Sequence, residues 1–215
     1  MFANTGVAPM TVAYQALQTR LGFDALILVD GGVDSIMRGD EYGAGTLIED
    51  AISLAAAQTL DIPTKILACI GFGTEVEEGV CHYNALENMA ALIKAGAFYG
   101  ACALTPDMDA FRRYERACRY VWEQPGHLKS HISTRIIPAV RGEFGNHHLY
   151  NDDRHVFISL SPLMSLYWFF DAQIVAERSL IIPHLRRTTE KMQAFEVVQS
   201  FQSGMKMRPR RSLPY

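Results

Sequence analysis

Short, uninterrupted apolar runs alternate with longer mixed stretches through the first half of the chain. Ala25-Leu-Ile-Leu-Val29 and Ile66-Leu-Ala-Cys-Ile70 are bounded by Asp, Gly and Pro, as strands covered on both faces of a parallel sheet are. Helices are predicted over about 8–21, 47–59 and 82–95. The second opens on Thr46-Leu-Ile-Glu49, the residues of a capping box, in which hydroxyl and carboxylate each take an orphan amide of the first turn. The third ends on Lys94 and Gly96, a cation and a glycine where a helix C-terminus favours both. Thr105-Pro106-Asp107 starts a further helix that runs to about Trp122 and stops before Pro125-Gly126. The order helix, strand, helix, strand, helix predicts an α/β fold. We expect it to be Rossmann-like: a mainly parallel sheet with helices on both faces and a less regular C-terminal part.

The second half carries weaker periodicity. Gly142 to Asp153 reads as a loop or hairpin by composition, and Arg154 to Leu160 alternates like a strand. Ser161-Pro162 could open a helix, and Thr188 to Ser203 suits a last one. No linker divides the chain, so a single domain is expected, with a regular part over 1–125, an irregular extension over 126–205 and a basic tail over 206–215, extended and solvated.

Composition narrows the class. The chain has 215 residues, 49% apolar and 20% charged, which is globular rather than disordered. Twenty basic against 23 acidic residues give a net charge of −3, without the broad basic surface of a general nucleic-acid binder. Cys69, Cys81, Cys102 and Cys118 form no C-x-x-C pair and read as buried thiols in a reducing compartment. Residues 1–19 are uncharged but lack a basic start and contain Asn4, Pro9 and Gln15, so neither a signal peptide nor a spanning helix is expected. The expectation is a soluble, cytoplasmic chain that does not enter membranes.

The densest chemistry follows the first apolar run. Between Asp30 and Asp50 lie six carboxylates (Asp30, Asp34, Asp40, Glu41, Glu49, Asp50) against one base, Arg38. In an open α/β sheet, ligands bind beyond the carboxyl ends of the strands. Gly31 and Gly32 let backbone approach a ligand closely, and so does Gly73 in Gly71-Phe-Gly73-Thr74-Glu75 after the second run. If the two strands are neighbours, both loops face one crevice. Such acidic density repels a bare anion and suits a hard divalent cation, magnesium or manganese, which can in turn hold a phosphate. The competing reading is that the acids cap turns and pair with Arg38. Five histidines between 127 and 155 lack the zincin glutamate and are read as solvated or hydrogen-bonded.

The segment Leu26 to Leu54, LILVDGGVDSIMRGDEYGAGTLIEDAISL, resembles the signature of the family catalogued as domain of unknown function 1152. Gly96-Ala-Phe-Tyr-Gly100, Leu104-Thr-Pro106, Arg141-Gly-Glu-Phe-Gly145, Leu160-Ser-Pro-Leu163 and Phe169-Phe-Asp171 resemble it in order. The resemblance implies a Rossmann-like α/β fold and supplies no activity. Family members usually carry a further N-terminal portion with its own glycine-rich, acidic loop, whereas this chain starts near Thr5-Gly6. The expectation is therefore a shortened chain, or a site completed by something else.

Two functions are expected from this pattern. The first is a hydrolase- or transferase-type enzyme acting on a polar or phosphorylated small molecule. Asp30 and Asp34 would bind the cation, and Asp40 or Glu41 would act as base. Substrate would be held by Gly31, Gly32, Arg38 and Gly73, with Arg141 and Glu143 added from their loop and the resemblance. The second is a non-catalytic ligand-binding or assembly subunit. A strand left unpaired at a sheet edge would be covered by a homo-oligomer or another partner.

Overall fold

The computed structural model describes residues 5–43, 46–150 and 157–213. Helix α1 (Val7–Leu21) ends where Gly22 takes a left-handed φ of 62° and donates its N–H to the Gln18 carbonyl. It is followed by β1 (Ala25–Asp30), α2 (Leu47–Gln58), β2 (Thr64–Ile70), α3 (His82–Lys94), β3 (Phe98–Ala103) and α4 (Asp109–Trp122). Then come α5 (His131–Val140), β4 (Leu166–Asp171), α6 (Ala172–Arg178), α7 (Ile182–Leu185) and α8 (Lys191–Ser203).

The four strands form one sheet in the order β1-β2-β4-β3. Strands β1 and β2 are parallel, with Ala25 opposite Thr64 and Asp30 opposite Cys69. Strand β4 runs antiparallel to both β2 and β3. The fold is α/β as expected, but the expectation of a mainly parallel sheet is corrected: two of the three pairings are antiparallel. The reason lies in Leu166-Tyr-Trp-Phe-Phe-Asp171, an aromatic run with no period of two. Wedged between β2 and β3, it has both faces covered, so its sequence shows no alternation. Strand β3 carries little signal of its own, because Gly100, Ala101 and Ala103 give it little apolar bulk.

Helices do cover both faces. On one, Leu67, Cys69 and Phe170 of the sheet meet Ala51 and Leu54 of α2, Leu92 of α3 and Ile182 of α7. On the other, Ile70 packs with Phe111 of α4 and Ile136 and Ile137 of α5. Strand β1 departs from the expectation of a strand covered on both faces. It is the sheet edge, and Ile27 and Val29 are 57% and 66% exposed.

The extension over 126–205 is more regular than its sequence suggests, since it supplies α5, β4, α6 and α8. The predicted strand over 154–160 is not formed at its described residues. Leu160 makes one isolated bridge to Gly145, and residues 154–156 lie outside those described. Ser161-Pro162 leads into a single 3-10 turn rather than a helix. Over its described residues, 206–213, the basic tail is extended, and Lys206, Arg210 and Arg211 are exposed as expected, but Arg208 is tied down. Arg208 bridges to Glu41, and its guanidinium reaches Asp40, Glu41 and Glu87. All four cysteines are free, but only Cys69 is buried, and Cys102 is exposed.

Candidate functional site

Because β1 and β2 are adjacent and parallel, the loops that follow them emerge at the same end of the sheet. Asp30 is the last residue of β1. The chain then turns through Gly31 and Gly32 into a short 3-10 turn, Asp34–Ile36, which buries Asp34 completely. Helix α2 brings Asp50 in from its first turn. One carboxylate oxygen from each of Asp30, Asp34 and Asp50 lies within 4.8 Å of the others. Glu75, from the loop after β2, lies beside Asp34: it is 4% exposed and its Oε2 accepts the Val33 N–H at 2.8 Å.

Neighbouring donors hold this cluster in place. The Ser35 hydroxyl donates to Asp30 Oδ2 at 2.6 Å and lies 3.2 Å from the buried Cys69 sulfur. The Thr46 amide and hydroxyl both donate to Asp34 Oδ2, at 2.6 and 3.0 Å. Thr46 thus caps Asp34 rather than its own helix, and the expected capping box does not form: Glu49 pairs with Lys191 instead. Gly32 is needed for space, since a Cβ there would lie 2.1 Å from the Glu75 carboxyl carbon. A Cβ on Gly31 would lie 3.1 Å from Ile132 of α5.

Four carboxyls drawn together out of water resist ionisation. Burial, then the neighbouring Asp34, pushes Glu75 up to about 9 and Asp30 up to about 6. Asp50 is raised well above the usual carboxylate range by burial, and then by Asp30. The thiol of Cys69 is raised by burial and then by Asp30, so it is not a nucleophile here. The second oxygen of Asp34, Oδ1, is buried and has no hydrogen-bond partner among the described residues. A buried carboxylate oxygen among other carboxyls is costly unless a proton shared with a neighbour, such as the raised Asp50 or Glu75 carboxyl, or a cation sits among them.

The remaining sequence-predicted residues lie in other places. Gly73 shares the loop of Glu75, with a φ of 94°. Asp40 and Glu41 belong to a second acidic group, bound to Arg208 of the tail. Glu41 Oε1 and Oε2 also accept the Arg38 and Gly39 amides, at 2.9 and 2.8 Å. Arg38 lies 3.8 Å from Asp40 and belongs with that group. Arg141 pairs with Glu115 of α4, and Glu143 with His147, so neither joins the cluster. His131 contacts Glu78 at 2.8 Å and His148 contacts Asn146 at 3.1 Å, whereas His155 lies outside the described residues.

Two members of the cluster do not stand out in the sequence. Asp50 is one acid among six, and its signal is its place in the first turn of a helix that follows Thr46. Glu75 follows Gly71-Phe-Gly73, and only the parallel pairing of β1 and β2 brings that loop to Asp30.

The model of the family described as Protein of unknown function (DUF1152) matches residues 2–203. The chain belongs to that family. No curated protein and no solved structure matches it. The DUF1152 match spans all four strands and the whole cluster at Asp30, so the cluster lies within the family's own region. No helix among the described residues is long and apolar enough to cross a membrane.

Proposed function

We propose that the chain is a small-molecule enzyme of the hydrolase or transferase kind, with a divalent cation, magnesium or manganese, held by Asp30, Asp34, Asp50 and Glu75. The observation that carries this reading is the meeting of Asp30, Asp34 and Asp50 oxygens within 4.8 Å around a buried Asp34 Oδ1 that no amide or hydroxyl of the described residues reaches, with Glu75 beside Asp34. Hard divalent cations take several oxygen ligands, and magnesium keeps waters in the positions that protein leaves open. Those positions would take an oxygen of a polar or phosphorylated substrate, with the cation acting as Lewis acid or activating a water. Asp30 and Asp50 line an open cleft of about 360 Å³, so substrate would meet them first. Asp40 and Glu41 have no part as base in this reading, because both are engaged by Arg208.

Thermal unfolding with EDTA, then with magnesium or manganese, each with and without nucleotides and sugar phosphates, tests the reading. A ligand at a hundred times its dissociation constant adds about 2.7 kcal/mol, roughly 5–11 °C for a chain of this size. Asp34→Asn keeps an acceptor for Thr46 and is expected to stay folded while losing the cation-dependent rise. A wild-type chain that melts identically with EDTA and with either metal would refute the assignment.

A second reading, a ligand-binding or assembly subunit completed by a partner chain, is favoured by a different observation: β1 is the edge of the sheet. Sedimentation separates the two readings, since a monodisperse monomer that binds a cation and a small molecule supports the first alone.

A further inference from the structure

The two loops that build the cluster also touch one another. In the first, Arg38 to Gly43, the last residue stands three positions before Thr46, the donor to Asp34. In the second, the Glu75 carbonyl accepts the Glu78 and Val80 amides at 3.1 and 3.2 Å, so Gly79 sits in a turn tied back to Glu75. The loops meet at Gly43 and Gly79, whose φ values of 74° and 101° favour glycine. A Cβ on Gly43 would lie 2.4 Å from the Gly79 carbonyl oxygen, so a side chain there would drive the loops apart.

The C-terminal segment crosses this contact. On the first loop, the Arg208 N–H donates to the Asp40 carbonyl at 2.6 Å, and the Tyr42 N–H to the Arg208 carbonyl at 3.1 Å. At the end of the second, the Cys81 thiol donates to the Arg211 carbonyl at 3.2 Å. Between them, Arg210 Nη2 donates to the Gly79 carbonyl at 2.7 Å and would lie 2.7 Å from a Cβ on Gly43. The near end of the second loop is held from elsewhere, by Arg135 of α5, which donates to the Thr74 carbonyl and to Glu77.

We propose that residues 208–211 are a clasp that keeps the two loops carrying the cluster closed on each other, with Arg208 as its fixed end and Arg210 as its latch. The Arg208 guanidinium spans Asp40, Glu41 and Glu87, and its release would strand the buried Glu41. Arg210 is exposed, and among the described residues its guanidinium has a neutral carbonyl and no carboxylate as partner. A bond of that kind opens and re-forms at little cost. Opening would part Gly43 from Gly79 and let the Thr46–Asp34 arm move away from Glu75. Asp34 and Glu75 are both buried, so a ligand that reaches them needs such a movement. In its coupling to a cation this inference rests on the function proposed above; in the closure of the loops it does not. The coupling is reciprocal: a cation that draws Asp34 and Glu75 together also favours the latched loops.

Arg210→Ala and Arg210→Lys in the full chain test this, by amide exchange in EDTA and by calorimetric titration with manganese. Arg210→Ala, at an exposed position, is expected to melt within about 2 °C of the wild type. Its exchange over residues 39–43 and 76–81 is expected to rise about tenfold, with that of β1 and β2 unchanged. Its manganese dissociation constant is expected to rise at least about fivefold. Arg210→Lys, which can still donate to the Gly79 carbonyl, should recover much of both. Unchanged exchange in the two loops would overturn the clasp, whatever manganese does. So would a large fall in melting temperature, or faster exchange spread through the strands, since Arg210 would then be ordinary packing. Faster loop exchange with an unchanged manganese affinity would overturn the latch's control of the cluster and leave the cation reading intact. Faster loop exchange with a wild type that binds no manganese would support the clasp and remove the cation reading instead.

Discussion

At the scale of single residues, the site is governed by how tightly carboxyls can be crowded. Gly32 shows this best, because it is required for the space it leaves rather than for its backbone conformation. Gly32→Ala would put a methyl group 2.1 Å from the Glu75 carboxyl carbon, so the side chain must swing away and give up the Val33 amide. Overpacking of this kind costs about 1–3 kcal/mol. The expected result is a melting temperature several degrees lower in EDTA, together with weaker manganese binding by titration calorimetry. A variant that melts like the wild type would mean that the Glu75 loop moves freely. The first of the paired carboxylates is legible from the sequence, since an acid at a strand end before two glycines has few other uses. Glu75 is not, because nothing local distinguishes it from Glu77 and Glu78 in the same loop.

At the scale of elements, the C-terminal tail changes most between sequence and structure. A run of arginines and prolines has no apolar pattern, so composition alone makes it solvated chain. In the folded molecule Arg208 answers two buried acids, Asp40 and Glu41, and the Glu41 side chain is wholly inaccessible. Arg210 donates to the Gly79 carbonyl at 2.7 Å, tying the tail to the end of the Glu75 loop. Removing one member of a buried ion pair strands the other and costs about 3–5 kcal/mol. Arg208→Ala is therefore expected to lower the melting temperature by roughly 6–20 °C, with Arg208→Lys recovering only part of the loss because it cannot span three carboxylates. Differential scanning calorimetry of the two variants checks this. A drop under about 2 °C for Arg208→Ala would show that the pairing contributes little.

At the scale of the whole molecule, the cluster couples stability to pH. Asp30 and Glu75 hold their protons more tightly folded than unfolded, being raised from 3.8 to about 6 and from 4.5 to about 9. Such groups favour the folded chain fully below their unfolded values, and that stability is lost as pH rises through the folded values. Asp50 adds to the same trend, being raised by burial. In EDTA these groups are expected to make the chain melt progressively lower from about pH 4 to pH 9, losing roughly 1.4 kcal/mol for every tenfold by which folding tightens a carboxyl's hold on its proton. A bound divalent cation favours the ionised carboxylates, so magnesium should flatten the decline and bind more tightly at higher pH. Melting curves across that range with EDTA and with magnesium provide the check. A stability that rises with pH in EDTA would show that the carboxyls ionise without cost.

What the sequence determined by itself was local. The apolar runs of β1 and β2, the helices α1 to α4 and α8, and the loop dense in glycine and acid after β1 follow from side-chain periodicity and turn chemistry over a few residues. The tertiary structure decided everything that depends on strands and loops far apart in the chain. The β4 run, covered on both faces, has no alternation to reveal its direction, so its antiparallel place between β2 and β3 could come only from packing. The union of Asp30 with Glu75, 45 positions later, follows from the parallel pairing of two strands. The separation of Asp40 and Glu41 from that union was set by Arg208, a residue whose local sequence carries no sign of the partner it meets.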